Sequence, residues 1–122
     1  MKTIETHLFD DKISLKTANG IEIFNIADII YCFIENREVE IVLLNGQTTR
    51  LFHSLTEFEA MLVPFHFYRC HAKNVINFAH VRLYNHKTGS LKLSNNIEIK
   101  VAWDRKVKFR QLIYNLLPPP PP

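Results

Sequence analysis

The stretch Glu38–Phe52, EVEIVLLNGQTTRLF, decides the fold class. Val39, Ile41 and Leu43 alternate with their neighbours, Asn45-Gly46 interrupts, and Thr49 and Leu51 resume the same period of two. Alternation on both sides of Asn-Gly predicts a β-hairpin, because a tight turn needs positive φ and these residues adopt it at least cost. The same punctuation recurs along the chain. Asn19-Gly20 separates Ile13 and Leu15 from Ile21 and Ile23, which are expected to face one another. Thr88-Gly89 precedes Leu91 and Leu93, and Asn95-Asn96 separates those from Ile97, Ile99 and Val101. A period of two held through four such turns predicts a mainly β chain of antiparallel strands.

Two segments break the period. In SLTEFEAMLV, Ser54 stands three residues before Glu57 in a capping-box arrangement, and Leu55, Phe58, Met61 and Leu62 share one helical face. This predicts a short helix near 55–63. At the other end Asp104 is placed to cap RKVKFRQLIYNLL, where Phe109, Leu112, Ile113 and Leu116 form an apolar stripe, predicting a C-terminal helix. Pro118–Pro122 lack amide hydrogens and cannot continue it. They are expected to form a disordered, extended polyproline tail, leaving residues 1–117 as a single domain.

The chain has 122 residues and 47% apolar content, enough for one modest core without disulfides or metal. Cys32 and Cys70 form no C-x-x-C pair, and no signal-like segment opens the chain. Charged or amide residues interrupt every apolar run well short of the roughly 20 residues a spanning helix needs. The expectation is a soluble protein of a reducing, cytoplasmic compartment, with no membrane partner. Net charge is +3, but unevenly spread. Met1–Phe65 carries five Lys/Arg against ten Asp/Glu, and His66–Pro122 carries ten against two. This asymmetry points either to a polyanionic partner for the second half or to a solvated basic face.

No catalytic or cofactor-binding constellation emerges. His66, His71, His80 and His86 fall on different strands or loops, without the compact spacings that preorganise tetrahedral metal ligands. Cys70 and His71 are adjacent in an extended segment and so point to opposite faces, which argues against a nucleophile–base pair. Cys70 is expected to be quietly buried; if accessible, Arg69 and His71 would lower its pKa and sensitise it to oxidation. Gly20, Gly46 and Gly89 are isolated, so no phosphate-binding loop is present. Asp10-Asp11 lacks a further carboxylate or base, and Glu35, Glu38 and Glu40 read as solvated surface rather than general acid–base groups.

The basic groups remain. In FYRCHAKNVIN, Phe67–Asn77, Arg69, His71 and Lys73 occupy alternate positions and are expected to share one side of an extended segment. Arg105, Lys106, Lys108 and Arg110 follow a later strand, and Asn36 with Arg37 lie in the break between YCFIE and VEIVLL. Long cations at strand ends reach phosphates, while Arg and Asn read base edges. Trp103, the single tryptophan, follows an alternating strand and is expected as a core or edge residue rather than a DNA contact.

The order of IADIIYCFIENREVEIVLLNGQ, HSLTEFEAML, FYRCHAKNVINFAHV and GSLKLSNNIEIKVAWDRK resembles the LytTR DNA-binding domain of bacterial transcription regulators. The resemblance spans Lys16 to Asn115. It implies small antiparallel sheets packed with short helices, and duplex DNA bound through inter-strand loops that enter successive major grooves. Carried over by position, the reading loops fall at Asn36, Arg37 and Glu38, at His71, Ala72 and Lys73, and at Asp104, Arg105 and Lys106. The family usually has a polar or basic residue where Ala72 stands and Ser or Thr where Lys73 stands. It usually has Ser and Arg after the valine, where this chain has Ala102, Trp103 and Asp104. Base preferences are therefore not carried over.

The resemblance further implies direct-repeat sites occupied by two copies, with weak or DNA-dependent dimerisation. The length leaves no room for a receiver domain, so the expectation is a stand-alone regulator without catalysis or cofactor. Neutralising about five to seven phosphates, with Arg69, Lys73, Arg105, Lys106 and Lys108 among the contacts, would give a log K against log salt slope of about −5 to −6. The competing reading is a degenerate LytTR-like interaction module, an antagonist or scaffold, motivated by Ala72, Asp104 and the acidic first half.

Overall fold

The apolar run Ile29–Glu35 forms a strand, β3, whose first four residues are all buried. A strand that buries one face alternates; one buried on both faces reads as a continuous apolar run. The computed structural model describes residues 11–121; Asp10 and the last proline of the tail lie outside them. Among these the strands are β1 (Lys12–Thr17), β2 (Gly20–Asn25), β3, β4 (Glu38–Leu43), β5 (Thr48–Leu51), β6 (Phe67–His71), β7 (Asn74–Asn77), β8 (Val81–Asn85), β9 (Ser90–Leu93) and β10 (Glu98–Lys100). The helices are α1 (Leu55–Leu62) and α2 (Lys106–Leu116), with short 3-10 turns between elements.

Seven strands form one sheet in the order β2-β1-β5-β4-β3-β7-β6, and β10-β9-β8 form a second. All pairings are antiparallel. One core lies between the large sheet and α1, where Cys32, Ile41 and Val75 meet Leu55, Phe58 and Leu62. The other lies on the opposite face, where Tyr31, Val42 and Ile76 meet Leu91, Leu93 and Ile99 of the small sheet and Phe109 of α2. Phe109 is fully buried, stacking on Phe78 at 5.3 Å between centroids and touching Tyr84 at 5.6 Å and Tyr68 at 5.9 Å. The mainly β class and both helices agree with the sequence pattern. Ser54 makes the full capping box, accepting from the Glu57 amide at 3.0 Å while its own amide donates to the Glu57 carboxylate at 2.8 Å.

Three expectations are corrected. The first hairpin turns on Ala18-Asn19, since Thr17 pairs with Gly20, which shifts the facing pairs to Ile13–Phe24 and Leu15–Glu22. A shift of one residue reverses the face, so Ile21 and Ile23 point outward and are exposed. Asp104 does not cap α2: the chain enters that helix through the turn Trp103–Arg105, and the boundary residue Arg105 is already α-helical, without the extended backbone a side-chain cap requires. Trp103 is neither core nor edge but 84% exposed. β10 ends at Lys100, so strand alternation no longer governs position 103.

A polar joint links the layers at the 3-10 turn Ile26–Asp28. The Asn77 amide donates to the Ile29 carbonyl at 2.9 Å, and its oxygen accepts from the Ala79 amide at 3.0 Å. The His80 ring bridges the Ala27 carbonyl, at 2.6 Å, and the Ser94 hydroxyl, at 2.7 Å. Both residues are buried, so their bonds have little competition from water. Asn77→Ala is expected to lower stability by about 1–3 kcal/mol, by stranding buried backbone partners. A fall in the urea midpoint with unchanged slope is the reading that checks it.

Candidate nucleic-acid interface

β3 ends and β7 begins at the same end of the large sheet, because the two run antiparallel with Phe33 opposite Asn74. The tips of the β3–β4 and β6–β7 hairpins are therefore neighbours, and the Ile34 amide donates to the Lys73 carbonyl at 3.1 Å. At the first tip Glu35 pairs with Glu38 across a two-residue turn, with Asn36 at φ 52° and Arg37 at φ 66°. Positive φ is tolerated by Asn and strained for Arg. All four residues are exposed. Arg50 stands 3.6 Å from the Glu38 carboxylate, offsetting the repulsion between facing carboxylates.

The second tip departs from the sequence reading. Arg69, His71 and Lys73 do not share one side of a continuous extended segment: β6 stops at His71, Ala72-Lys73 turn the chain, and β7 begins at Asn74. The turn has neither Gly nor Pro. Side chains close it, the Lys73 amide donating to His71 Nδ1 at 3.2 Å and Arg69 donating to the Ala72 carbonyl at 2.6 Å. In the neutral ring this leaves the His71 proton on Nε2, available as a donor. Ala72 and Lys73 are exposed.

The turn Trp103–Arg105 lies beside β6. The Ala102 amide donates to the Cys70 carbonyl at 2.8 Å, and Arg105 Nη1 donates to the Arg69 carbonyl at 2.5 Å. The three candidate reading segments thus gather on one rim. Their cations differ in availability. Arg69 is held by Thr56 at 3.0 Å and Glu59 at 3.3 Å besides Ala72, and Arg105 by its bond to Arg69. The Lys106 ammonium sits 4.7 Å from the centre of the Trp103 ring and packs against Gly89. Arg37, Lys73 and Lys108 are exposed. The sequence reading did not single out Lys100 or Asn74, which line one cleft with Lys73 and Glu35. Lys100 alternates with buried Ile99, as surface lysines do throughout the chain, and only the docking of β10 brings it to the rim.

Among the described residues no group of three or more His, Cys, Asp or Glu is placed to hold a metal ion, and no helix is long and apolar enough to cross a membrane.

A family model described as LytTr DNA-binding domain matches residues 19–114. The chain belongs to the LytTR DNA-binding domain family, a class of DNA-binding modules of regulators. A solved LytTr DNA-binding domain from Bacillus cereus is similar in fold, with a TM-score of 0.70 and 24% identity, covering 85% of this chain and 97% of that one. No curated protein matches the chain.

Both cysteines are buried and unpaired. Burial pushes the Cys70 thiol from 9.0 up to about 12, outweighing its own backbone hydrogen bond and the Arg105 charge, which favour the thiolate; burial also raises Cys32. The activated-thiolate alternative is thereby removed. A folded value above the unfolded one stabilises fully below pH 9.0 and progressively less as pH climbs towards about 12. Both thiols are expected to resist a disulfide reagent at pH 8 until urea unfolds the chain. Above pH 9 the Cys70→Ala protein should lose less stability per pH unit than its parent, as read from urea midpoints.

Proposed function

We propose that this chain is a transcription regulator that binds duplex DNA sequence-specifically, with the three rim segments entering the major groove. The observation that carries the reading is the convergence of Asn36-Arg37, His71-Ala72-Lys73 and Trp103–Arg105 on one rim, built by three separate parts of the chain. Family membership supports DNA as the partner.

The roles follow from side-chain chemistry. Arg37, raised on a strained turn, suits the paired acceptors of guanine, and Asn36 suits adenine. His71 offers an Nε2–H donor. Lys73, Lys100 and Lys108 suit phosphates, which position the protein without specifying sequence. Trp103 offers a flat apolar ring to the sugar-phosphate wall, backed by Lys106. With Arg69 and Arg105 committed to internal carbonyls, Lys73, Lys100 and Lys108 neutralise about three phosphates, so the salt slope is expected at about −2.7 rather than the −5 to −6 counted from sequence.

The decisive experiment is salt-titrated selection of the purified chain against random duplex DNA, with sequencing of the retained fraction. An enriched motif, lost in Lys73→Glu, is the expected result; retention without enrichment, or no retention at low salt, overturns sequence-specific reading. Because Trp103 is the chain's only tryptophan, its fluorescence should change as the selected duplex is added and recover as salt is raised. Arg37→Gly should relieve positive-φ strain of about 1–2 kcal/mol and raise the urea midpoint. The same substitution should weaken motif binding in the titration, marking a residue kept for recognition at a cost in stability.

A further inference from the structure

We infer that Arg69 is a positioning residue for DNA recognition, and that α1 sets the geometry of the β6–β7 tip through it. The inference rests on the DNA reading above and assigns a role to residues that do not themselves reach the rim.

Arg69 and Cys70 occupy an irregularity in β6, where Tyr68 pairs with Ile76 and His71 with Asn74, so that two residues oppose Val75 alone. Such a bulge re-aims the side chains around it. Cys70 turns into the core under the small sheet, and Arg69 lies on the side facing α1. Its side chain is only 19% exposed. Nη1 donates to the Thr56 hydroxyl at 3.0 Å and the Glu59 carboxylate at 3.3 Å, one helical turn apart on α1, while Nη2 donates to the Ala72 carbonyl at 2.6 Å. One planar guanidinium therefore ties a helix to the apex of the reading turn, a bridge that lysine's single ammonium does not reproduce.

The same two residues hold the third segment. The Arg69 carbonyl accepts from Arg105 and the Cys70 carbonyl from the Ala102 amide. Two of the three rim segments are thus registered against one two-residue bulge. The turn Ala72-Lys73 has neither Gly nor Pro and is closed by the His71 and Arg69 side chains, the second of which is held in place from α1 by Thr56 and Glu59. Arg69 Nε is buried with no hydrogen-bond partner among the described residues, so the bonds of this side chain are all made by its two terminal nitrogens. For Arg69 to reach a phosphate instead, it would have to abandon Glu59 and release the Ala72 carbonyl.

Removing a carboxylate from a DNA-binding protein ordinarily tightens binding, because it lessens repulsion of the phosphates. The clamp reverses that sign. Glu59→Ala is expected to weaken binding to the selected motif about five- to tenfold, less than the full worth of a charge-assisted bond because Thr56 and the Ala72 carbonyl still hold the guanidinium, while leaving affinity for a shuffled duplex unchanged or slightly tighter. Arg69→Lys should do the same, with the salt slope of each variant equal to that of the parent. If Glu59→Ala tightens both duplexes alike, or Arg69→Lys keeps full discrimination, the proposal is wrong. A slope shallower by about one in Arg69→Gln would make Arg69 a phosphate contact instead.

Should Arg69→Gln fail to fold, Glu59→Ala carries the test, as it changes a part-exposed helix position to a strong helix former. Failure of the DNA reading would appear separately, as an unmodified chain that does not distinguish motif from shuffled duplex. In that event amide exchange decides the clamp: Glu59→Ala should speed exchange at Lys73 and Ala102, and unchanged exchange at both overturns it.

Discussion

Burial of β3 on both faces is the constraint on which the remaining architecture depends. A strand with apolar residues on both sides needs a cover on each, and α1 with one set of side chains and the small sheet with α2 supply the two covers. Its hydrogen-bonding edges are taken by β4 and β7. Antiparallel pairing then brings the β3–β4 and β6–β7 tips to the same end of the sheet. A requirement of the core thus becomes a property of the surface, because two turns distant in sequence are made neighbours by the strand between them.

The acidic first half takes on a different meaning once its partners are visible. Glu57 completes the capping box of α1, Glu59 anchors Arg69, Glu38 stands beside Arg50, and the Glu22 carboxylate accepts from Thr17 and Asn19. These carboxylates are engaged with the protein's own donors, which leaves little reason to read them as a docking surface for a basic partner. The rim cations fall into two sets. Arg69, Arg105 and Lys106 organise the rim from within; Arg37, Lys73 and Lys100 face outward, and Lys108 is exposed on α2. Counting lysines and arginines along the chain cannot separate these sets, because a guanidinium bound to a carbonyl and one free in water contribute the same formal charge.

Where the sequence was read wrongly, the errors have a common origin. The hairpins at Asn45-Gly46, Thr88-Gly89 and Asn95-Asn96 stand where local turn chemistry put them, and Asn96 does carry positive φ. The turn at Ala72-Lys73 has no Gly or Pro to mark it within an otherwise extended pattern; its closing bonds come from His71 and from Arg69, whose own geometry is held by α1. Trp103 was assigned by extending an alternation that the chain had already left at Lys100. The first hairpin erred by a single residue, and that sufficed to exchange its faces.

The order of residues alone was enough for the mainly β class, both helices, the cap on α1 and the family to which the chain belongs. The class, the helices and the cap depend on periodicity, on turn residues and on hydrogen bonds between close neighbours, all written within a few positions of one another; the family rests on the resemblance of four motifs in their order along the chain. The grouping of three segments on one rim, the exposure of Trp103 and the division of the cations into holders and outward-facing groups came from folding. Each depends on partners roughly ten to forty positions apart along the chain, such as Arg69 with Glu59 and with Arg105. Local pattern carries no information about such pairs, because they meet only when separate sheets and helices close over a shared core.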